Sequence, residues 1–154
     1  TPLMAEHFAT VADAYRILGE IPDTADLHAP ADGGDKSTEG SARRLLRMVG
    51  VDDSTTAVES KTQASAIARE IRWKQLHRWQ RELIRMLSRV EFLKVAPTVI
   101  GVGPGEFIAE ELARMSGLNY VSFIDCVAKE INAHPHAEAC APAIAVAKLY
   151  FLAS

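Results

Sequence analysis

Hydrophobic residues recur at helical spacing in three stretches of the first 90 positions. The first stretch follows Thr1 and Pro2, which suit an N-cap and a first helical position, and it ends at Gly19. Its apolar positions are Met4, Phe8, Val11, Tyr15 and Leu18. Another face of the same stretch carries Glu6, Thr10 and Asp13, with His7 beside them. We predict a helix over residues 1–18 whose polar stripe faces solvent.

Two further helices are predicted beyond a polar connection. Residues 21–40 are rich in aspartate, proline and glycine, which predicts a mobile loop with little apolar burial. Ser37 or Thr38 opens the next helix and Gly50 closes it. The inward positions of this helix are Ala42, Leu45, Leu46 and Val49. After a second polar break at residues 51–56, the longest helical pattern covers residues 57–90. Its predicted apolar face consists of Leu76, Trp79, Leu83, Met86, Leu87 and Val90.

Strands alternate with helices in the remainder of the chain. Residues 96–103 form a β-branched run that ends in glycines and predicts a buried strand. Residues 106–115 are helical, with Phe107, Ile108, Leu112 and Met115 facing inward, and residues 120–126 alternate as a second strand. Ala141 and Pro142 start a final helix. Strand, helix, strand, helix in this order predicts a parallel α/β unit with a crossover helix.

The composition is that of an ordinary globular protein, with 48% hydrophobic and 24% charged residues. The net charge of −3 gives no overall basic excess for nucleic acid. No apolar run is long enough for a membrane span, and no basic start precedes an apolar stretch. Cys126 and Cys140 lack the spacing of a zinc site and suit a reducing compartment as small buried hydrophobes. We expect a cytoplasmic protein without nucleic-acid or membrane partners.

Charge is unevenly distributed along the chain. Residues 1–59 contain five basic and eleven acidic residues, whereas residues 69–94 contain eight basic and three acidic ones. Helical geometry places five of the basic residues on one face: Lys74, Arg78, Arg81, Arg85 and Arg89. A solvated face is the simplest interpretation. Phosphates, an acidic partner or the acidic first segment are the alternatives.

The glycine-rich turn after the first predicted strand is the sharpest local feature. Gly101, Gly103 and Gly105 follow that strand, and a helix begins at Glu106. Such a turn lets a ligand approach the backbone and points free N–H groups at it. Glu106 occupies the third glycine position of the dinucleotide fingerprint, so that fingerprint is not met. A plain tight turn between strand and helix is the alternative.

Several segments resemble known proteins. PTVIGVGPGEFIAEELARMSGL (97–118) resembles the adenosine-side motif of the hydantoinase A/oxoprolinase group, within the sugar-kinase, actin and heat-shock-ATPase superfamily. TPLMAEHFATVADAYRILGEIP, DTADLHAPADGGDKS, SARRLLRMVGVD and CAPAIAVAKLY are similar to the tetrahydromethanopterin-linked one-carbon-transfer pathway proteins. The family includes furan-methanamine synthases of methanofuran biosynthesis. Family members begin with a lobe that carries two glycine-rich phosphate loops, so the resemblance implies that the sequence is the C-terminal portion only.

The resemblance implies alkyl transfer in methylofuran or methanofuran synthesis. A phenolic amine attacks the furfuryl carbon of a furan-methyl diphosphate, and diphosphate leaves. It implies a small-molecule substrate, with Mg²⁺ and either ATP or a diphosphate ester as candidate ligands. The residues that would bind the metal are left unassigned. The missing N-terminal lobe is the implied partner, and a homo-oligomer is a candidate assembly. We expect the chain alone to be inactive.

Candidate site residues follow from the same resemblance. The catalytic candidates are Glu6, Asp32 and Lys36, with Lys36 on the diphosphate and a carboxylate acting as base or through magnesium. The substrate-binding candidates are His7, Asp13 and Gly33. The nucleoside-side candidates are Gly101, Gly103, Gly105 and Glu106.

The expected fold is α/β: the C-terminal lobe of an actin-like (ribonuclease H-like) ATPase fold, with a small parallel sheet and a large helical part. Residues 1–95 form the mainly helical segment and residues 96–154 the βαβα unit, together in one compact lobe. Two functional alternatives remain open. One is a small-molecule kinase or ATP hydrolase of the same superfamily. The other is a non-enzymatic interaction module that uses the basic helix at residues 74–89.

Overall fold

A computed structural model describes residues 7–21, 25–51, 57–89, 97–127 and 140–153. Over these residues the protein is mixed α/β, mostly helical, with a two-stranded parallel sheet. The chain divides into two compact units, Thr1–Gln75 and Leu76–Ser154. The division falls inside a long helix, whereas the sequence pattern changes near residue 95.

The first helix is shorter than its apolar spacing predicts. Helix α1 covers Val11–Ile17, and residues 7–10 are not helical. Thr10 is the N-cap, and its backbone N–H donates to Asp13 Oδ2 at 2.9 Å. A cap residue and a carboxylate three positions later together satisfy the first free donors of a helix, which fixes the start at Val11. The expected start at Thr1 and Pro2 lies outside the described residues.

The second helix is confirmed where the sequence predicts it. Helix α2 covers Thr38–Arg47, with Ser37 as N-cap. The Ser37 Oγ accepts a hydrogen bond from the Gly40 N–H at 2.9 Å, so one of the free donors at the helix start is satisfied. Gly50, with φ +74°, follows the helix in the left-handed region that glycine adopts readily.

Small residues hold the first unit together. Helix α3, Ala57–Leu87, contributes Ala64 and Ala68, both fully buried. Ala68 packs with Ala14 of α1 and Leu45 of α2, and Ala64 packs with Ala42 and Leu46. Methyl side chains let helices approach closely, so the core is built from few large groups.

The predicted apolar face of α3 is only partly correct. Leu76 is buried at 3% exposure, but Trp79 and Met86 are 40% and 57% exposed, and Val90 lies outside the described residues. The residues of α3 that pack in the first unit are Ala64, Ile67, Ala68 and Ile71. The predicted face rests on large side chains, whereas the observed packing in the first unit is centred on Ala64 and Ala68.

The second unit contains the parallel strand pair. Strand β1, Thr98–Gly101, pairs with β2, Asn119–Ser122, and helix α4, Glu106–Met115, connects them. The predicted strand β1, helix α4 and parallel pairing are confirmed. The predicted burial of β1 is wrong, because Thr98 and Ile100 are exposed and only Gly101 of this strand is buried. The second strand is shorter than predicted, because the chain turns into helix α5, Phe123–Val127, directly after Ser122.

Helix α6 covers Ala141–Ala153, as the sequence predicts. Its first residue, Ala141, is buried against Ile124 of α5. Beyond that turn the large apolar side chains are exposed: Val146, Leu149, Tyr150, Phe151 and Leu152. Within the described part of the chain, none of the helices combines the length and apolarity needed to cross a membrane.

Both cysteines correct the sequence expectation. Cys126 and Cys140 are free thiols with exposed side chains, not buried hydrophobes. Cys126 lies in the short helix α5, which buries Ile124, and Cys140 directly precedes α6. The buried residues next to them are Ile124 and Ala141, and both thiols lie outside that cluster.

Candidate functional site

A network of charged side chains occupies the first unit, and we refer to it as the polar cluster. It joins α1, α2 and the loop between them. The members are Asp13, Arg16, Asp26, Asp32, Lys36, Ser41 and Arg44. Asp13, Asp32 and Lys36 are site candidates from the sequence, and the fold brings these three residues into one network.

Arg44 lies at the centre of the polar cluster. Its side chain is fully buried, and so is that of Asp13, at 2% exposure. The Nε and Nη2 atoms of Arg44 both donate to Asp13 Oδ1, at 3.0 and 2.8 Å. Its Nη1 atom donates to Asp32 Oδ1 and to the Asp35 carbonyl, each at 3.0 Å. One buried guanidinium therefore links helix α1 to the polar loop.

Ser41 and Arg16 extend the polar cluster. The Ser41 hydroxyl donates to Asp13 Oδ1 at 2.8 Å and accepts from Arg16 Nη1 at 3.2 Å. Arg16 Nη2 reaches Asp26 Oδ2 at 2.7 Å. Lys36 Nζ donates to the Asp26 carbonyl at 2.5 Å. The described part of the loop, residues 25–37, is thus anchored at both ends, whereas its composition predicts a mobile segment.

The cations shift the carboxyl groups towards their charged forms. Burial by itself raises the pKa of Asp13, but hydrogen bonds from Arg44, Thr10 and Ser41 outweigh burial, so this pKa lies below its usual value. The Gly34 N–H, followed by Arg44, lowers the pKa of Asp32. Burial raises the pKa of Asp26, but the hydrogen bond from Arg16, the charge of Lys36 and the hydrogen bond from the His28 N–H together outweigh burial, so this pKa is also lowered. All three are carboxylates at neutral pH and accept hydrogen bonds only.

The remaining candidates of the first unit have different surroundings. Glu6 lies outside the described residues. His7 is exposed, before α1 begins. Gly33 is exposed with φ +67°, in the left-handed region that a turn beside Asp32 requires. Asp13, expected on a solvated stripe, is instead buried and committed to Arg44.

The glycine turn belongs to the second unit. Gly101 ends β1 and is buried, and a Cβ there would meet the Tyr120 ring, with Cε2 at 2.8 Å. Gly103 has φ +77°, and Gly105 is exposed with nothing within 4 Å of an added Cβ. Glu106 begins α4 and accepts a hydrogen bond from Ser122 Oγ at 3.1 Å. The turn lies at the carboxyl ends of both strands, where open α/β sheets place their ligands.

The residues of the polar cluster do not fit a magnesium site. Magnesium binds through carboxylates that are free to face the cation. Asp13, Asp26 and Asp32 are instead paired with guanidinium groups of Arg16 and Arg44. Across the described ranges, no three His, Cys, Asp or Glu side chains are placed to hold a metal ion.

The centre of the polar cluster is not among the site residues predicted from the sequence. Arg44 falls between the inward positions Ala42 and Leu45, and Ser41 lies one turn before it. A cation on the apolar side of a helix is rare without a buried partner. That position was a usable signal, because Asp13 is the complementary charge on the preceding helix.

The basic stripe predicted from the sequence is exposed, as expected for a solvated face: Lys74, Arg78, Arg81, Arg85 and Arg89. Lys74 pairs with Glu70, and Arg81 and Arg85 pair with Glu82, all on the same helix. These exposed pairs reduce the positive field of the stripe and contribute little to stability.

Comparisons with known proteins add no assignment. The chain matches no protein-family model, and no curated protein matches it.

Proposed function

We propose that the chain is the C-terminal lobe of a two-lobed, actin-like transferase of the family it resembles. The reaction is alkyl transfer from a furan-methyl diphosphate to a phenolic amine in methylofuran or methanofuran synthesis. A C–O bond forms between the phenol oxygen and the furfuryl carbon, and the bond from that carbon to diphosphate breaks. The phenol proton passes to a base, and the diphosphate leaves with the bonding electron pair. The proposal includes a cytoplasmic location.

The anchored loop that carries Asp32 and Lys36 supports this proposal. Stabilising a leaving diphosphate requires donors held in place before the reaction, since ordering them during the reaction raises the barrier. Arg44 and Arg16 hold residues 25–37 through Asp32, Asp26 and the Asp35 carbonyl. An ammonium has three donor hydrogens, and Lys36 uses one on the Asp26 carbonyl. The Asp26 carboxylate lies 3.9 Å from Lys36 Nζ, beyond hydrogen-bond distance, and about a third of the Lys36 side chain is exposed, so the other two donors can meet a phosphate oxygen.

The structure changes the role expected of Asp32, which was a catalytic candidate. The lowered pKa of Asp32 makes its carboxylate a weak base for a phenol. Its oxygen instead accepts from the Gly34 N–H at 3.0 Å and from Arg44. We assign Asp32 a positioning role for the loop. Glu6 remains the candidate base by resemblance.

A kinase or ATP hydrolase of the same superfamily is the second candidate. The observation that favours it is the glycine turn of the second unit, which joins β1 to α4 beside Ser122 and Glu106. A carboxylate at this position suits a ribose hydroxyl. Consumption of ATP by the complete enzyme distinguishes this candidate from the transferase.

The test is product formation by the chain combined with the N-terminal lobe. Mass spectrometry follows the ether formed from a furan-methyl diphosphate and a phenolic amine. Lys36→Ala is expected to slow the reaction about 100-fold, the loss of about 3 kcal/mol found when one preorganised donor is removed. Arg114→Ala is the control, because Arg114 is exposed and pairs with Glu111 on its own helix.

Two outcomes contradict the proposal. One is equal rates for Lys36→Ala and the unaltered chain, which removes Lys36 from the site. The other is absence of the ether under conditions where ATP is hydrolysed, which favours the second candidate.

A further inference from the structure

A pocket of about 1030 Å³ lies in the first unit, between one face of α2 and one face of α3. The α2 face presents Glu39, Ala42, Arg43, Leu46 and Arg47, which recur three and four residues apart. The α3 face presents Val58, Lys61, Thr62, Ser65 and Arg69 at the same spacing. Residues at this spacing share one side of a helix, so two helical faces line a single groove. The volume is at the upper end of the range for small-molecule sites, about 300–1,000 Å³.

The floor of this pocket is apolar. Ala42 and Leu46 belong to the buried cluster that Ala64 completes, and Ile17 and Val51 pack beside them. Val58, on the α3 wall, is 76% exposed. An apolar group that entered the pocket would contact the buried Ala42 and Leu46. It would also remove from water the exposed surface of Val58 and of the half-buried Ile17 and Val51, which favours binding.

The rim of this pocket is predominantly cationic. Its described lining includes four cationic side chains, Arg43, Arg47, Lys61 and Arg69, against the carboxylates of Asp35 and Glu39. Arg43 and Arg47 approach Asp35 and Asp32 only at 3.9 and 4.0 Å, the outer limit of an ion pair. Within the described part of the chain, Lys61 and Arg69 form no ion pair. Ser37, Thr38 and Ser65 add hydroxyl groups to the lining.

We propose that this pocket binds a small organic anion with an apolar body. The apolar part lies on Ala42, Leu46 and Val58, and a phosphate, sulfate or carboxylate head meets Lys61 and Arg69. Buried apolar lining with a few convergent polar groups is the usual composition of a ligand site. The carboxylates of Asp35 and Glu39 lie on the α2 side, which directs an anionic head towards α3. This site is separate from the polar cluster, and the proposal does not depend on the proposed transferase reaction.

Isothermal titration calorimetry of the chain with 1-naphthyl phosphate tests the site. Two further titrations use inorganic phosphate and 1-naphthol, which each carry one half of the probe. We expect 1-naphthyl phosphate to bind at least about 10-fold more tightly than either half, because charge and apolar surface contribute together. Equal affinity for inorganic phosphate or for 1-naphthol, or no binding of the naphthyl ester, overturns the proposal.

A pair of charge-reversal variants locates the binding. The double change Lys61→Glu and Arg69→Glu is expected to weaken 1-naphthyl phosphate at least about 10-fold. Both residues are exposed, so the fold is retained, which circular dichroism checks. The matched control is Arg78→Glu with Arg81→Glu, further along the same helix and equally exposed, where the affinity is expected to stay within about 2-fold. Equal weakening in both variants shows a non-specific charge effect and overturns the proposal.

If the first variant does not fold, the salt dependence of the unaltered chain replaces it. Raising the ionic strength from about 0.05 to 0.5 M screens the rim charges and is expected to weaken the naphthyl ester while leaving 1-naphthol unchanged. An affinity for the ester that does not depend on salt contradicts the assignment of the anionic head to Lys61 and Arg69.

Discussion

Replacement of Arg44 by methionine tests the organisation of the polar cluster. Methionine keeps the apolar length of the side chain but removes five hydrogen bonds, to Asp13 twice, to Ser41, to Asp32 and to the Asp35 carbonyl. Asp13 is then a buried carboxylate without its main cation. Removing one partner of a buried ion pair costs about 3–5 kcal/mol. That loss is a large part of the 5–15 kcal/mol by which domains are typically stable, so unfolding at a much lower urea concentration is expected.

Urea titration followed by circular dichroism gives the free energy of unfolding. The matched control is Arg43→Met, one position earlier on α2, where the side chain is 54% exposed and its ion pair with Asp35 spans 3.9 Å. This control is expected to lose much less stability, because exposed pairs contribute little. The double variant Asp13→Asn with Arg44→Met is expected to lose less than the sum of the two single changes, because no unpaired charge remains. Equal losses for Arg44→Met and Arg43→Met, or strict additivity in the cycle, would refute the reasoning.

The remaining predictions concern pH, a close contact and a helix cap. The folded pKa of Asp13 lies below its unfolded value, so its contribution to stability is present above about pH 4 and is lost as the pH falls through the folded pKa. In urea titrations at stepped pH, the free energy of unfolding of Asp13→Asn should therefore fall less steeply with acid than that of the unaltered chain. Gly101→Ala places a methyl group against the Tyr120 ring and should destabilise the strand pair by about 1–3 kcal/mol. Gly105→Ala, with open space around it and a negative φ, should leave the thermal midpoint nearly unchanged, and equal shifts for the two glycines would contradict the contact. Ser37→Ala removes the cap of α2 and should cost about 1 kcal/mol, seen as faster exchange of the Gly40 amide; unchanged exchange would contradict the cap.

Elements whose start and end are marked locally could be predicted from the sequence. Helix α2 begins after Ser37, and α4 covers Glu106–Met115 as expected, because a cap, a glycine and a periodic face agree at each. The prediction that the first helix extends through residues 7–10 was wrong, because α1 begins at Val11. Phe8 and Val11 fit a helical spacing, but the pair of Thr10 and Asp13 decides where the helix begins.

The polar cluster could be predicted only in part. Asp13, Asp32 and Lys36 were site candidates through the family resemblance, whereas the helical spacing placed Asp13 on a solvated stripe. A single sequence does not show which cation a carboxylate meets across 31 residues, as Asp13 meets Arg44. The same holds for Trp79 and Met86, whose exposure the apolar spacing along the helix does not show.

Phosphorus NMR of the complete enzyme is the most direct test of the proposed transferase. Separate samples contain the furan-methyl diphosphate alone, the diphosphate with a phenolic amine, and ATP. The proposal predicts release of free diphosphate only when the phenolic amine is present, in step with ether formation, and no phosphate from ATP. Conversion of ATP to ADP and phosphate, or no release of diphosphate with both substrates present, would contradict it.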